Sequence, residues 1–130
     1  MAVKIIKGNQ EYRHDFPTIA STTNATVTTL LTVPITADSM VNFKYTFSGT
    51  VTDFSAAIGG DVFNVFRRVT TGDIVRAGTE KSTINKDTAL ITCDCYIEID
   101  NTGHNLLVRV KGKTATNIDW VCETDYLAIY

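Results

Sequence analysis

Leu106, Val108 and Val110 alternate with Leu107, Arg109 and Lys111, and after Gly112-Lys113 the residues Ile118, Trp120 and Cys122 resume the same alternation. A period of two places successive side chains on opposite faces of a strand, so this stretch predicts a hairpin with one apolar and one polar face. The apolar face is assigned to the core. Upstream, Ala89 to Asp100 repeats the pattern: Ile91, Cys93, Cys95, Ile97 and Ile99 are expected to point inward, and Thr92, Asp94, Tyr96, Glu98 and Asp100 outward. With Thr102-Gly103 at the tip of the turn, Ile97 falls opposite Val108, Ile99 opposite Leu106, Tyr96 opposite Arg109 and Asp94 opposite Lys111. Placing Val108 opposite Trp120 then makes the last three strands an antiparallel meander, a basic strand between two acidic ones.

Further strands are expected from Thr26 to Val33, ended by Pro34, and around Val41, Phe43, Tyr45 and Phe47, which alternate with Asn42, Lys44 and Thr46 before Ser48-Gly49. Phe54 to Gly60 is the place for a short helical turn or a wide loop. From Val62 to Val69 both faces carry apolar residues, so periodicity leaves the inner face open; Thr71-Gly72-Asp73 is its turn and Ile74 to Ala77 a short return strand. Asn85-Lys86-Asp87 marks another turn. Seven or eight antiparallel strands predict an all-β, jelly-roll-like β-sandwich with a C-terminal meander. Residues 25–130 are assigned to the sandwich. Residues 1–24, with the polar run from Gly8 to Asp15, Phe16-Pro17 and the small polar residues around Ser21 to Asn24, form an arm or edge segment.

At 130 residues the chain is one domain, long enough to build a core without disulfide or metal staples. A formal net charge of -2 argues against a broad electropositive footprint and hence against nucleic acid as partner. No apolar run approaches the ~20 residues that span a bilayer, and the N-terminal stretch lacks a signal-peptide core, so membrane insertion is not expected and folding is assigned to a reducing cytoplasm. Cys93, Cys95 and Cys122 all fall on inward positions. Adjacent same-face positions sit about 6.6 Å apart with parallel side chains, poor geometry for a bridge, so all three read as small core residues. No cofactor is implied.

Glu98 and Asp100 share a face at roughly the 6.5 to 9.5 Å spacing of inverting glycosidases, which makes a small glycoside hydrolase the weakest of three functional readings. Any i, i+2 acidic pair on a strand reaches that spacing, and a flat outward face supplies no apolar pocket to raise a carboxyl pKa. His14 and His104 lack motif partners and read as surface histidines. Trp120, Phe43, Tyr45 and Phe47 lie on apolar stripes and belong to the core. Tyr96, Arg109, Lys111, Tyr126 and Tyr130 remain as candidate exposed contacts for a partner or, in a lectin-like module, for a glycan.

From Met40 to Asp125 the chain resembles a β module recurrent in bacteriophage tail fibres and related virion proteins. The resemblance is carried by Phe47-Ser48-Gly49, the small-residue patch Ser55-Ala56-Ala57, and the aromatic strand Phe63 to Phe66 running into Arg67-Arg68. Its closest part is Asn105-Leu106-Leu107-Val108-Arg109-Val110-Lys111-Gly112 with Ile118-Asp119-Trp120. It implies a non-enzymatic virion component, located in the particle and synthesised in the host bacterial cytoplasm. The expected partners are other virion proteins and further copies of the chain, in a homo-oligomer such as a trimer, with a host-surface glycan as a further contact. The first 35 or so residues match nothing in that group, whose modules usually sit inside much longer fibre chains.

Overall fold

A computed structural model describes residues 2–130, with the side chains of residues 2 and 16 left aside. Nine strands run in chain order: β1 (Ala2–Lys7), β2 (Gln10–Thr22), β3 (Val27–Pro34), β4 (Ser39–Val51), β5 (Ala57–Arg68), β6 (Val75–Lys86), β7 (Asp94–Asp100), β8 (Asn105–Lys111) and β9 (Ile118–Ile129). All pairings are antiparallel, in a six-stranded sheet of order β1-β2-β9-β4-β5-β6 and a three-stranded sheet of order β3-β8-β7. The chain is an all-β sandwich.

Alternation places the core. Val41, Phe43, Tyr45 and Phe47 of β4, and Ile118, Trp120 and Cys122 of β9, turn toward the smaller sheet and meet Val33, Cys95, Ile97, Leu106, Val108 and Val110. Each large apolar side chain so removed from water contributes about 1.5–3 kcal/mol before chain entropy is charged against it. Trp120 is 1% exposed, and its indole N–H donates to Thr22 Oγ1 at 2.9 Å. The ambiguous strand resolves with Val62 and Phe66 inward and Phe63 and Val65 outward. Asn64 shares the buried face, its Oδ1 accepting the Val65 N–H at 2.7 Å and its Nδ2 without a hydrogen-bond partner among the described residues.

The register of β7 against β8 is the expected one, residue for residue: Ile97 with Val108, Ile99 with Leu106, Tyr96 with Arg109 and Asp94 with Lys111. The meander is not formed. β9 leaves β8 and enters the larger sheet between β2 and β4, so Trp120 pairs with Ala20 and Gly49, not with Val108. The crossing starts at Gly112, where a Cβ would lie 2.5 Å from the Asn24 carbonyl oxygen and 2.6 Å from Thr22 Oγ1. Only glycine lets the chain pass so close to the β2–β3 link.

Three local expectations are also corrected. Ile91 is 62% exposed, because the segment before Asp94 is a single 3-10 turn at Thr88–Leu90 and Leu90 fills the core place instead. The strand after Asp73 is no short return but twelve residues long, and β5 begins at Ala57, inside the stretch assigned to a loop. Residues 2–22 form the β1–β2 hairpin, with β1 at the sheet edge and β2 paired to β9 on either side of an irregularity between Asp15 and Thr18. Pro17 sits in that bulge, where its missing N–H breaks no ladder bond.

β6, the opposite edge, carries side chains that join the two sheets. Arg76 donates to the Ile97 carbonyl, Glu80 accepts the Ile97 N–H at 3.2 Å, and the two side chains form an ion pair at 3.3 Å. Lys86 donates to the Cys93 carbonyl at 2.8 Å. One open side of the sandwich is therefore laced by polar contacts from β6 to β7.

Candidate interaction face

The smaller sheet covers one face of the larger; the other face carries the side chains that the core parity turns away. Strand register sets them in rows. One row across the sheet reads Lys7, Gln10, Ile129, Met40, Arg67 and Val75; the next outward row reads Ile5, Tyr12, Leu127, Asn42, Val65 and Ala77. Val3, His14, Asp125, Lys44, Phe63 and Lys81 follow. Six apolar or aromatic residues of these rows (Val3, Ile5, Tyr12, Met40, Leu127, Ile129) are each 37% to 59% exposed. Together they make an apolar patch on the order of several hundred Å², the size at which the largest patch on a monomer is often functional.

A polar cluster borders the patch. Tyr12 Oη donates to Asp125 Oδ1 at 3.1 Å, and His14 Nδ1 lies 2.7 Å from the same oxygen, with Glu123 3.8 Å from His14 Nε2. The hydrogen bond to Asp125 holds the imidazole pKa above its ordinary value. Beyond this cluster the face becomes a shallow open trough of about 890 Å³, walled by Thr46, Ser48, Asp61, Asn85 and Asp119 and floored in part by Gly59 and Gly60. Among the described residues no exposed aromatic ring lines it.

The residues expected to make contacts do not gather in one place. Tyr96, Arg109 and Lys111 lie on the outer face of the smaller sheet, Tyr96 beside Arg109. Arg109 Nε approaches Glu98 Oε2 at 3.1 Å as an ion pair without hydrogen-bond alignment. Tyr126 is corrected from an exposed contact to a core residue: it is 2% exposed, with the Arg13 guanidinium 4.6 Å over its ring. Counting by twos from Trp120 and Cys122 places it inward, so the signal was present. Tyr130 is 44% exposed, while its hydroxyl donates to Glu11 at 2.8 Å. The apolar face was the missed feature; its signal is the opposite parity, Leu127 and Ile129 against Tyr126 and Ala128.

Glu98 and Asp100 are engaged locally. Glu98 pairs with Arg109, while Asp100 accepts the N–H groups of Gly103 and Thr102 and the Asn105 side chain, and those bonds hold its carboxyl below the usual range. His104 lies 3.7 Å from Asp73. Cys93, Cys95 and Cys122 are unpaired thiols buried in the core, as their parity required. Among the described residues no group of three His, Cys, Asp or Glu could hold a metal ion, and no helix is long and apolar enough to cross a membrane.

No protein-family model and no curated protein matches the chain. Among solved structures it is similar to the tailspike protein gp49 of Acinetobacter baumannii bacteriophage Fri1, a capsular polysaccharide depolymerase, at a TM-score of 0.48 and 14% identity. That match covers 97% of this chain and 19% of the tailspike. The Acinetobacter baumannii phage AM24 tailspike protein gives 0.45 and 12%, over 88% of this chain and 26% of that one. The chain thus spans about a fifth of the first tailspike and about a quarter of the second.

Proposed function

We propose that the chain is a structural module of a bacteriophage virion, a tail appendage or decoration component, that works by assembly and not by catalysis. The observation that carries this reading is the apolar half of the open sheet face. A sandwich whose aromatic core is already enclosed by its own two sheets leaves Tyr12, Met40, Leu127 and Ile129 in water, a cost that association removes. The resemblance of residues 40–125 to tail-fibre modules supplies the setting: a particle assembled in the bacterial cytoplasm, with other virion proteins as neighbours. The two carboxylates considered for hydrolysis serve an ion pair and a turn, which favours the structural reading over the hydrolytic one.

The test is incorporation. Particles from a lysate expressing the wild-type chain should contain it by mass spectrometry, and Leu127→Lys, which places a charge in the patch without touching the core, should be depleted from them at least about tenfold. Equal incorporation of the two would overturn the reading. The hydroxyl, amide and carboxylate groups along the walls of the trough, over a mainly apolar lining, favour a second reading, contact with a glycan. A glycan array on which Asp61→Ala and wild type both stay silent would remove it.

A further inference from the structure

Resting on that assembly reading, we propose that the occupant of the open face is a second copy of this chain, docked face to face about a two-fold axis parallel to the strands and running between β9 and β4. The strand order divides there into two halves of three, β1-β2-β9 and β4-β5-β6. A two-fold along that line lays each half over the other half of the second copy, β9 over β4, β2 over β5 and β1 over β6, with heights along the strands preserved.

The rows then become contacts. Ile129 meets Met40 of the second copy, Tyr12 meets Val65 and Ile5 meets Ala77, because each pair occupies the same row at mirrored positions. One row further, Asp125 meets Lys44. Signs are split between the halves, with Asp125, Glu123 and Asp119 outward on β9 and Lys44, Arg67 and Lys81 on β4, β5 and β6; of these, Asp125 and Lys44 fall directly opposite each other, while Arg67 falls over Gln10 and Lys81 over Val3. Across the axis Asp125 and Lys44 of the two copies alternate in sign around a square, and the apolar rows lie beside them. Lys7 on the edge strand β1, and Asp61 on β5 one outward row beyond Lys44, stand outside this division. An isologous interface needs such self-complementarity, and the patch with its polar margin approaches the roughly 800 Å² per partner of a standard interface. Aligned sheets cross at about −30°, which a two-fold along the strands accommodates symmetrically.

The test separates contact between copies from contact within one. Lys44 and Asp125 are also cross-strand neighbours in the same chain, so Lys44→Glu and Asp125→Lys each place like charges side by side inside a copy. Each variant alone should dimerise at least about tenfold more weakly than wild type in sedimentation equilibrium. Mixed in equal amounts, the two should recover association as a heterodimer. The carboxylate introduced at position 44 of one copy then faces the ammonium introduced at position 125 of the other, while the clash within each copy is unchanged. Met40→Lys mixed with Ile129→Glu repeats the test two rows away, should Asp125→Lys fold poorly. Mixtures that stay as weak as their components, or a wild-type monomer or trimer, would overturn the proposal. A monomeric wild type together with loss of Leu127→Lys from particles would overturn the second copy alone and leave the assembly reading intact; unimpaired incorporation with dimers in solution would do the reverse.

Discussion

Gly49 lies under the indole of Trp120, and replacing it by alanine tests the packing between the sheets. A Cβ at position 49 would stand 2.6 Å from Trp120 Cε3, 2.7 Å from Cζ3 and 3.1 Å from Ile58 Cγ2. The ring cannot swing aside freely, because its N–H is bonded to Thr22 Oγ1 and its centroid lies 6.4 Å from that of the Phe47 ring. Overpacking of this kind costs about 1–3 kcal/mol. Removing a glycine from a strand interior returns about 0.5–1 kcal/mol. Gly49→Ala should therefore destabilise by about 1–2 kcal/mol in urea unfolding monitored by circular dichroism. Trp120→Ala alone should cost about 3–5 kcal/mol. In that background the ring clash is gone, Ile58 Cγ2 can yield into the space the indole leaves, the propensity gain remains, and Gly49→Ala should stabilise by about 0.5–1 kcal/mol. A change of sign between backgrounds is the signature. A Gly49→Ala that is neutral in the wild type, or costs the same in both, would refute this packing.

Other consequences are checked singly. Tyr45 is buried, and its hydroxyl faces the Cys95 thiol, a weak hydrogen-bond partner, so Tyr45→Phe should be neutral or up to about 1 kcal/mol more stable in the same assay. His14 should titrate above the ordinary imidazole range by NMR and fall toward it in Asp125→Asn. Because its folded pKa is raised, the stability it contributes is full below the unfolded value of about 6.5 and fades as pH rises through the folded one. Burial raises the pKa of all three thiols, that of Cys122 to about 12, so native protein should leave a thiol reagent unreacted until denaturant is added.

Alternation made the β7–β8 pair legible to the residue, since a tight turn fixes register once one face must be apolar. It could not reveal where β9 goes. An in-plane hairpin and an arch to the opposite sheet leave the same alternating pattern, and the distinction lies in Gly112, whose missing Cβ matters only once Thr22 and Asn24 are beside it. β2 has the sequence of an arm or edge because its inward side chains are polar: Glu11 takes Tyr130 and Lys4, and Arg13 takes Asp15 and the face of Tyr126. Pairing with β9, not hydrophobic periodicity, holds that strand. β6 hides for a related reason, its Arg76 and Glu80 serving the backbone of β7 in place of an apolar stripe. The interaction face was invisible for lack of one fact, which sheet β9 joins. Once β9 lies between β2 and β4, Leu127 and Ile129 fall beside Tyr12 and Met40, and scattered surface residues become one patch.

That patch bears the functional account, and light scattering across a concentration series measures it most directly. Wild type should approach twice the mass of one chain as concentration rises, while Leu127→Lys keeps the monomer mass at the same urea midpoint. A wild type that remains a monomer throughout, or a Leu127→Lys variant that associates equally well, would contradict self-association through that patch.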